Sequence, residues 1–344
     1  MKGKILIAGH EIGGQMQLLA ESLRKKGYQA QAAAFNSDFR NYHNDIQIKT
    51  QRIPVQRFFF FIKAIFQYDV FHFFWGVSLF DFWKFKGIDL PLLKLLNKKI
   101  IVHFRGTDLM DIKYYNYLQA KARGEQSTEP PKSRPDQLAR LAHWRKYADH
   151  LLVSTPDLLE IVPEAILVPQ VVDVHDVFRL AGPTGNKTFR LGHAPTRRNT
   201  KGTDFIITAV EQLKKAGLAI ELVLIENELP ENVLIRFSGC DAGIDQLLIG
   251  WYGKVTVELM AMGKPVLCYI DEKYKDYVAG LPIIHVTTVT LEVKLRGLIL
   301  AADQIQCPTE TEVLDYMKHH DVSSVINQLT RLYQADGLNS ILKS

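Results

Sequence analysis

The chain has 344 residues, enough for two domains of ordinary size, each with its own core. A content of 47% hydrophobic and 23% charged residues is that of a globular protein and excludes a disordered one. The 42 basic and 37 acidic residues leave a net charge of +5, too small a surplus to call for nucleic acid, and Cys240, Cys268 and Cys307 form neither a metal spacing nor an even disulfide framework, which fits a reducing cytoplasm.

In chain order, Met1 to Gly9 offers a basic start but only a four-residue apolar run, too short for a signal sequence, and reads as a first buried strand. No window approaches the roughly 18 apolar residues of a membrane span, so any membrane contact is peripheral. Short apolar segments then alternate with amphipathic helices twice over, the pattern of parallel sheets covered on both faces. The first half predicts strands over Lys4–Ala8, Ile46–Lys49, Asp69–Phe74, Lys99–Phe104 and His150–Ser154. The second predicts them over Phe189–His193, Ile220–Ile225, Ala242–Leu248, Pro265–Ile270 and Ile283–Val286. The first helix of each half ends alike, in Glu21 to Gly27 and in Glu211 to Gly217, with cationic last turns closed by a glycine suited to a left-handed cap.

The turn Gly9-His-Glu-Ile-Gly-Gly14 follows the first strand, yet it is not a Gly-x-Gly-x-x-Gly fingerprint and lacks an acidic partner after the next strand, which weakens a dehydrogenase reading. Gly13 and Gly14 either let the backbone approach a ligand or serve a tight turn alone. From Gln51 to Lys99 eight basic residues, Arg52, Arg57, Lys63, Lys84, Lys86, Lys94, Lys98 and Lys99, face three acidic ones, Asp69, Asp81 and Asp89. Aromatics crowd the same stretch (Phe58 to Phe61, Phe73 to Trp75, Phe80 to Phe85), a combination suited to an anionic membrane surface, although Asp69–Phe74 reads as core. His103, Arg105 and Asp108 leave the strand Lys99–Phe104 at its carboxyl end, as a core histidine with polar neighbours or as a ligand-facing group. Lys121–Gln137 is rich in Pro, Ser, Glu and Lys and reads as a surface loop or an acceptor-side lid. Pro163–Asn186, with three prolines and two glycines among Pro163, Pro169, Gly182, Pro183 and Gly185, reads as an interdomain connection.

Past that connection, Leu191–Thr203 places Arg197, Arg198, Lys201 and Gly202 between a strand and a helix N-terminus, where cations and free amides together suit a nucleotide diphosphate or form a solvated basic loop. Glu226 closes the next strand and can face the nucleotide or solvent. The stretch from Asp241 to Val266 is the most informative. It reads as strand, glycine turn at Gly250 to Gly253, short helix opened by Lys254 and Val255, second glycine turn at Gly263, and buried strand. Glu258, on a helix apolar at Val255, Leu259 and Met262, can point toward the sheet's carboxyl edge and accept from a ribose diol.

This stretch resembles the Glu-x7-Glu and Ala-Met-Ala-x-Gly-x-Pro-Val motif of the retaining family 4 glycosyltransferases. Asp241, Gly253, Glu258, Gly263, Pro265 and Val266 stand at matching positions, whereas the motif's first Glu falls on Gly250. Lys201-Gly202 matches the family's Lys-Gly, and Val168-Pro-Gln-Val-Val-Asp173 is close to its Val-Pro-Asn-x-Val-Asp. His193 or Ala194 stands near the place of the family's diphosphate-binding Arg, so Arg197 or Arg198 would have to substitute.

The resemblance implies an α/β protein of GT-B fold, two Rossmann-like domains facing each other across a cleft. An acceptor-side domain is expected over 1–167, a linker over 168–187, a nucleotide-sugar domain over 188–325, and a C-terminal helix over 326–344 able to return to the first domain. The implied reaction moves a hexose-type sugar from a nucleotide diphosphate donor, uridine being favoured, to a glycan or lipid-linked hydroxyl with retention, in surface polysaccharide or glycolipid synthesis. Implied donor contacts are Gly13, Gly14, Arg197, Arg198, Lys201, Gly202, Glu226, Gly250, Gly253, Lys254, Val255 and Glu258. His103, Arg105 and Asp108 are the implied catalytic groups, with Asp245 a candidate for the carboxylate missing at Gly250. No metal and no cofactor beyond the sugar nucleotide is expected, Asp173-Val-His-Asp176 lacking the Asp-x-Asp spacing. A sugar-nucleotide epimerase on the same fold, or a noncatalytic sugar-nucleotide-binding subunit, remains open beside this reading.

Overall fold

A computed structural model describes residues 3–35, 42–48, 54–81, 86–182, 187–304 and 307–334. The first sheet holds β1 (Ile5–Gly9), β2 (Ala30–Ala34), β3 (Ile46–Gln47), β4 (Val70–Phe74), β5 (Lys99–Phe104), β6 (His150–Val153) and β7 (Ile166–Leu167) in the order β3-β2-β1-β4-β5-β6-β7. The second holds β8 (Phe189–His193), β9 (Ile220–Leu224), β10 (Ala242–Ile244), β11 (Val266–Cys268) and β12 (Ile283–His285) in the order β12-β11-β10-β8-β9. Every pairing is parallel. The apolar runs of β1, β4 and β5 are buried throughout their centres because helices cover both faces of such a sheet.

The helix Gln15–Lys25 buries Met16, Leu19, Ala20 and Leu23, the spacing of one helical face. It ends with Gly27 at φ 79°, while the Tyr28 N–H reaches back to the Leu23 carbonyl. Its counterpart Thr203–Lys215 ends with Gly217 at φ 85° and a Leu218 to Leu213 bond, so both glycines close the left-handed cap expected of them.

Some elements differ from expectation. The Ala30–Ala34 strand was not anticipated, since a run of alanines carries no β-branched signal, and β7 spans only two residues. Beyond β3, Lys49 lies outside the described residues, as do Gln51, Arg52, residues 82–85 with Lys84, and Pro183 and Gly185 of the connection. The second half's third strand stops at Ile244 instead of Leu248 because Asp245 turns away to bond a helix terminus, and the Leu247 N–H pairs with the Lys201 carbonyl.

The chain divides into two compact units, one of Met1–Ile112, Pro131–Val171 and Val322–Ser344, the other of Lys113–Pro130 and Val172–Asp321. Lys113–Pro130 lies in the first half of the sequence but belongs to the second unit, where Arg123 donates to the Asn199 carbonyl and Thr288 to that of Ala122. The helix Val322–Gln334 belongs to the first unit, burying Val322, Val325, Ile326, Leu329 and Tyr333 against the helix and strands that open the chain.

Candidate functional site

In the second unit the loops that leave β8, β10 and β11 converge at the carboxyl edge of the sheet, where parallel α/β sheets bind ligands. β8 delivers His193, which is fully buried. Its Nδ1 lies 2.9 Å from the Ile244 carbonyl and its Nε2 2.9 Å from the Thr203 hydroxyl, so Nδ1–H donates to the carbonyl and Nε2 accepts from the hydroxyl. Burial pushes its pKa down to about 4, and the neutral ring ties the strand to the start of the next helix.

After β8 the chain makes a short helical turn, Arg198–Lys201, and passes through Gly202 into the helix Thr203–Lys215. Lys201 turns inward. Its ammonium donates to Asp245 Oδ1 at 2.5 Å and to Gln246 Oε1 at 2.9 Å. The other oxygen of Asp245 accepts from the Gly253 N–H at 2.6 Å and the Thr256 hydroxyl at 2.9 Å, at the N-terminus of the helix Lys254–Ala261. Burial alone would raise the Asp245 carboxyl, but the Lys201 charge and the bonds from Lys201, Gly253 and Thr256 outweigh it and hold the pKa below its ordinary value. A Cβ on Gly253 would lie 3.0 Å from both the Lys201 ammonium and Asp245 Oδ2, so glycine there lets the basic loop and the helix terminus touch.

This geometry gives Asp245 a structural task in place of the expected catalytic one: its side chain has no exposed surface and its oxygens are taken. Around the junction, Arg198 and Glu226 form a two-bond ion pair at 2.8 and 2.5 Å, binding two expected donor contacts to each other. Arg197 is exposed and makes no ion pair among the described residues. Lys254 pairs with Glu258 at 2.9 Å, one helical turn apart, and Val255 is half-buried beside them. Helical side chains lean toward the N-terminus, so the buried Glu258 carboxylate is directed toward the carboxyl edge.

Gly250 has φ 84°, a conformation that strains any other residue. Its carbonyl accepts from the Asp271 N–H at 2.9 Å, and Asp271, just beyond β11, is half-buried. Sequence reasoning passed over Asp271; the available signal was an acidic residue closing the buried run from Pro265 to Ile270. Among the described residues no group of three or more His, Cys, Asp or Glu side chains is arranged to hold a metal ion.

The first unit treats its polar groups differently. Gly9 is needed for packing, since a Cβ there would lie 2.3 Å from the Phe74 carbonyl oxygen. Gly13 and Gly14 take φ 70° and 75° in the tight turn before the helix Gln15–Lys25. The terminus of that helix is already occupied, because the buried Glu11 carboxylate accepts from the Met16 N–H. Burial raises the Glu11 pKa and the backbone bonds of Met16, Ile12, Gln17 and Gln15 oppose the shift.

His103 has no exposed surface. Its Nε2 donates to the Val168 carbonyl at 2.9 Å, its ring stacks on His72 at 5.6 Å, and burial drives its pKa well below the usual range. It is therefore a core group, a correction to its expected catalytic role. Asp108 is likewise buried and accepts from the Arg105 N–H at 3.1 Å and the Gly106 N–H at 2.7 Å. Burial raises its pKa to about 6, against those bonds and the Arg105 charge. Arg105 lies 5.2 Å from the Phe74 ring centre, and burial lowers its pKa to about 10, leaving it charged. These three residues brace one another and the loop after β5.

No family model matches the chain, and no curated protein matches its sequence. Solved structures match its fold. Sucrose-phosphate synthase from Thermosynechococcus elongatus aligns with a TM-score of 0.58 at 12% identity over 99% of this chain and 100% of that one. The catalytic domain of starch synthase IV from Arabidopsis thaliana, solved with ADP and acarbose, aligns at 0.58 with 10% identity over 97% and 99%. The lipopolysaccharide outer core galactosyltransferase WaaB aligns at 0.55 with 10% identity over 96% and 98%. These neighbours are GT-B glycosyltransferases, and the chain shares their fold of two parallel-sheet α/β domains.

Proposed function

We propose that the chain is a retaining glycosyltransferase that moves a hexose-type sugar from a nucleotide diphosphate donor, UDP-sugar first, to a glycan or lipid-linked hydroxyl in surface polysaccharide or glycolipid synthesis. The observation that carries this reading is the junction of Lys201, Asp245 and Gly253, where a basic loop and a helix N-terminus are bonded into one edge. An ammonium has three donors, and two of those on Lys201 are engaged, which leaves one for a phosphate oxygen. Arg197 supplies the uncommitted cation, and the first amides of the helix Lys254–Ala261 add positive potential. Together they would stabilise the charge that grows on the departing diphosphate. Glu258 would accept from the ribose hydroxyls. The shared fold supports the same reading.

The acceptor side of the proposal draws on the helix Pro54–Gln67, which has no acidic residue. Phe58, Phe59, Ile62 and Phe66 are 47%, 66%, 36% and 82% exposed beside the exposed Lys63, an apolar and cationic face suited to an anionic lipid surface. Among the described residues no helix is long and apolar enough to cross a membrane. Such an enzyme should float with anionic vesicles at low salt and detach as salt rises.

The deciding experiment measures thermal stabilisation by a panel of nucleoside diphosphates and their sugars, followed by product analysis. The reading requires stabilisation by one base and slow hydrolysis or transfer of its sugar. Conversion of the donor into its epimer would make the protein an epimerase, and binding without turnover a sensor or assembly subunit.

A further inference from the structure

We infer that Asp271 supplies the carboxylate that holds the sugar of the donor, from the loop after β11 and through space vacated at Gly250; this rests on the glycosyltransferase reading. A Cβ built on Gly250 would lie 3.0 Å from the Asp271 Cβ and 3.6 Å from Tyr269 Cε1. A side chain at 250 and the one at 271 therefore compete for one place, and the left-handed backbone of Gly250 already disfavours the first. The carboxylate has reached this part of the edge from the neighbouring strand.

Its bonding leaves it available. Oδ1 accepts from the Lys273 N–H at 3.3 Å, opening the short turn Glu272–Val278, and among the described residues no hydrogen bond reaches Oδ2. The loops after β8, β10 and β11 leave consecutive neighbours in the sheet, so the Asp271 loop stands two strand spacings, about 10 Å, from the cationic loop. Coulomb repulsion keeps a carboxylate off the diphosphate itself. At that distance it meets the uncharged portion of the donor, whose hydroxyls are donors that an acceptor-only group can hold.

The test is calorimetric binding of UDP and UDP-glucose, and of ADP and ADP-glucose, to the parent protein and to Asp271→Asn and Asp271→Ser. Both substitutions keep an oxygen able to cap the turn, so a merely capping residue would tolerate them. The expected result is about tenfold weaker binding of the sugar nucleotide, with the matching diphosphate changed by less than about twofold. Asp271→Glu should recover part of the loss. Equal effects on diphosphate and sugar nucleotide, or no effect on either, would overturn the assignment while leaving the glycosyltransferase reading intact. A parent protein that binds none of the four probes overturns both.

Discussion

The carboxyl edges of the two sheets carry similar kinds of residue and use them in opposite ways. In the first unit, Glu11, His103, Arg105 and Asp108 are buried and satisfy helix termini, loop amides and a carbonyl of the same unit. In the second, one buried pair, Lys201 and Asp245, takes the structural load, while Arg197 and Asp271 keep unspent bonding capacity near the surface. A polar residue at a strand end is thus informative only with its burial and its partners known. The motif that matters is the one whose members hold each other and leave a neighbour free.

The largest expected effect breaks the second edge. Asp245→Ala or Lys201→Ala should each destabilise the fold by about 3–5 kcal/mol, because each leaves a buried charge without its partner. Chemical denaturation of both single variants and the double variant checks this. The double should lose much less than the sum, and additive losses would mean that the pair is not coupled.

The pH dependence separates the edges further. The Asp245 pKa is lowered in the folded state, so its stabilisation is present above the ordinary carboxylate range and is lost as pH falls through the folded value. The Asp108 pKa is raised to about 6, so its contribution is full below the ordinary carboxylate value and is lost as pH rises through about 6. The stability gap between parent and Asp245→Asn should therefore widen with rising pH, and that between parent and Asp108→Asn should narrow. Unfolding curves between pH 3 and pH 8 test the two slopes, and slopes of the same sign would contradict the assignment.

Ligand affinity sharpens the comparison at smaller scale. Arg197→Ala should weaken nucleotide diphosphate binding about ten- to hundredfold with an unchanged melting temperature, since the side chain is exposed. His103→Phe should do the reverse, removing the bond to Val168 at about 1–2 kcal/mol of stability while the folded protein keeps its transfer rate. A drop in that rate at unchanged stability would return His103 to the active site. The smallest effect is that of Glu258→Gln, about five- to thirtyfold in donor affinity, and a 2′-deoxyribose donor should lose less on the same substitution.

Much of the fold was legible because burial on both faces of a parallel sheet leaves nearly continuous apolar runs, as in Ile5–Gly9 and Val70–Phe74. Ala30–Ala34 was not, since its place is dictated by pairing to Ile5–Gly9 and not by its own preference. The contact of Lys201 with the Asp245–Gly253 turn was half legible: the sequence put each on a loop after a strand, but only the turn of the chain at Asp245 sends the lysine inward. The role expected of His103 failed for a specific reason. An apolar strand with one histidine reads alike whether the ring faces a ligand or a carbonyl, and Val168, which supplies that carbonyl, is 65 residues away. Asp271 was missed because no pattern in sequence shows that Gly250 and Asp271 share one space.

The helix Val322–Gln334 has a consequence for the order in which the molecule is made. It seals the core around Ile5, Met16, Leu23 and Leu152, donates the Tyr333 hydroxyl to His72 at 2.8 Å, and accepts a Lys26 bond at the Ser323 carbonyl. A chain leaving the ribosome has all strands of the first sheet long before it has this helix, whereas Val172–Asp321 is complete once Asp321 emerges. The part begun first is therefore finished last. Until Tyr333 is synthesised, the apolar surface under this helix is bare in the nascent chain, and a chaperone that binds such surface would find its target there.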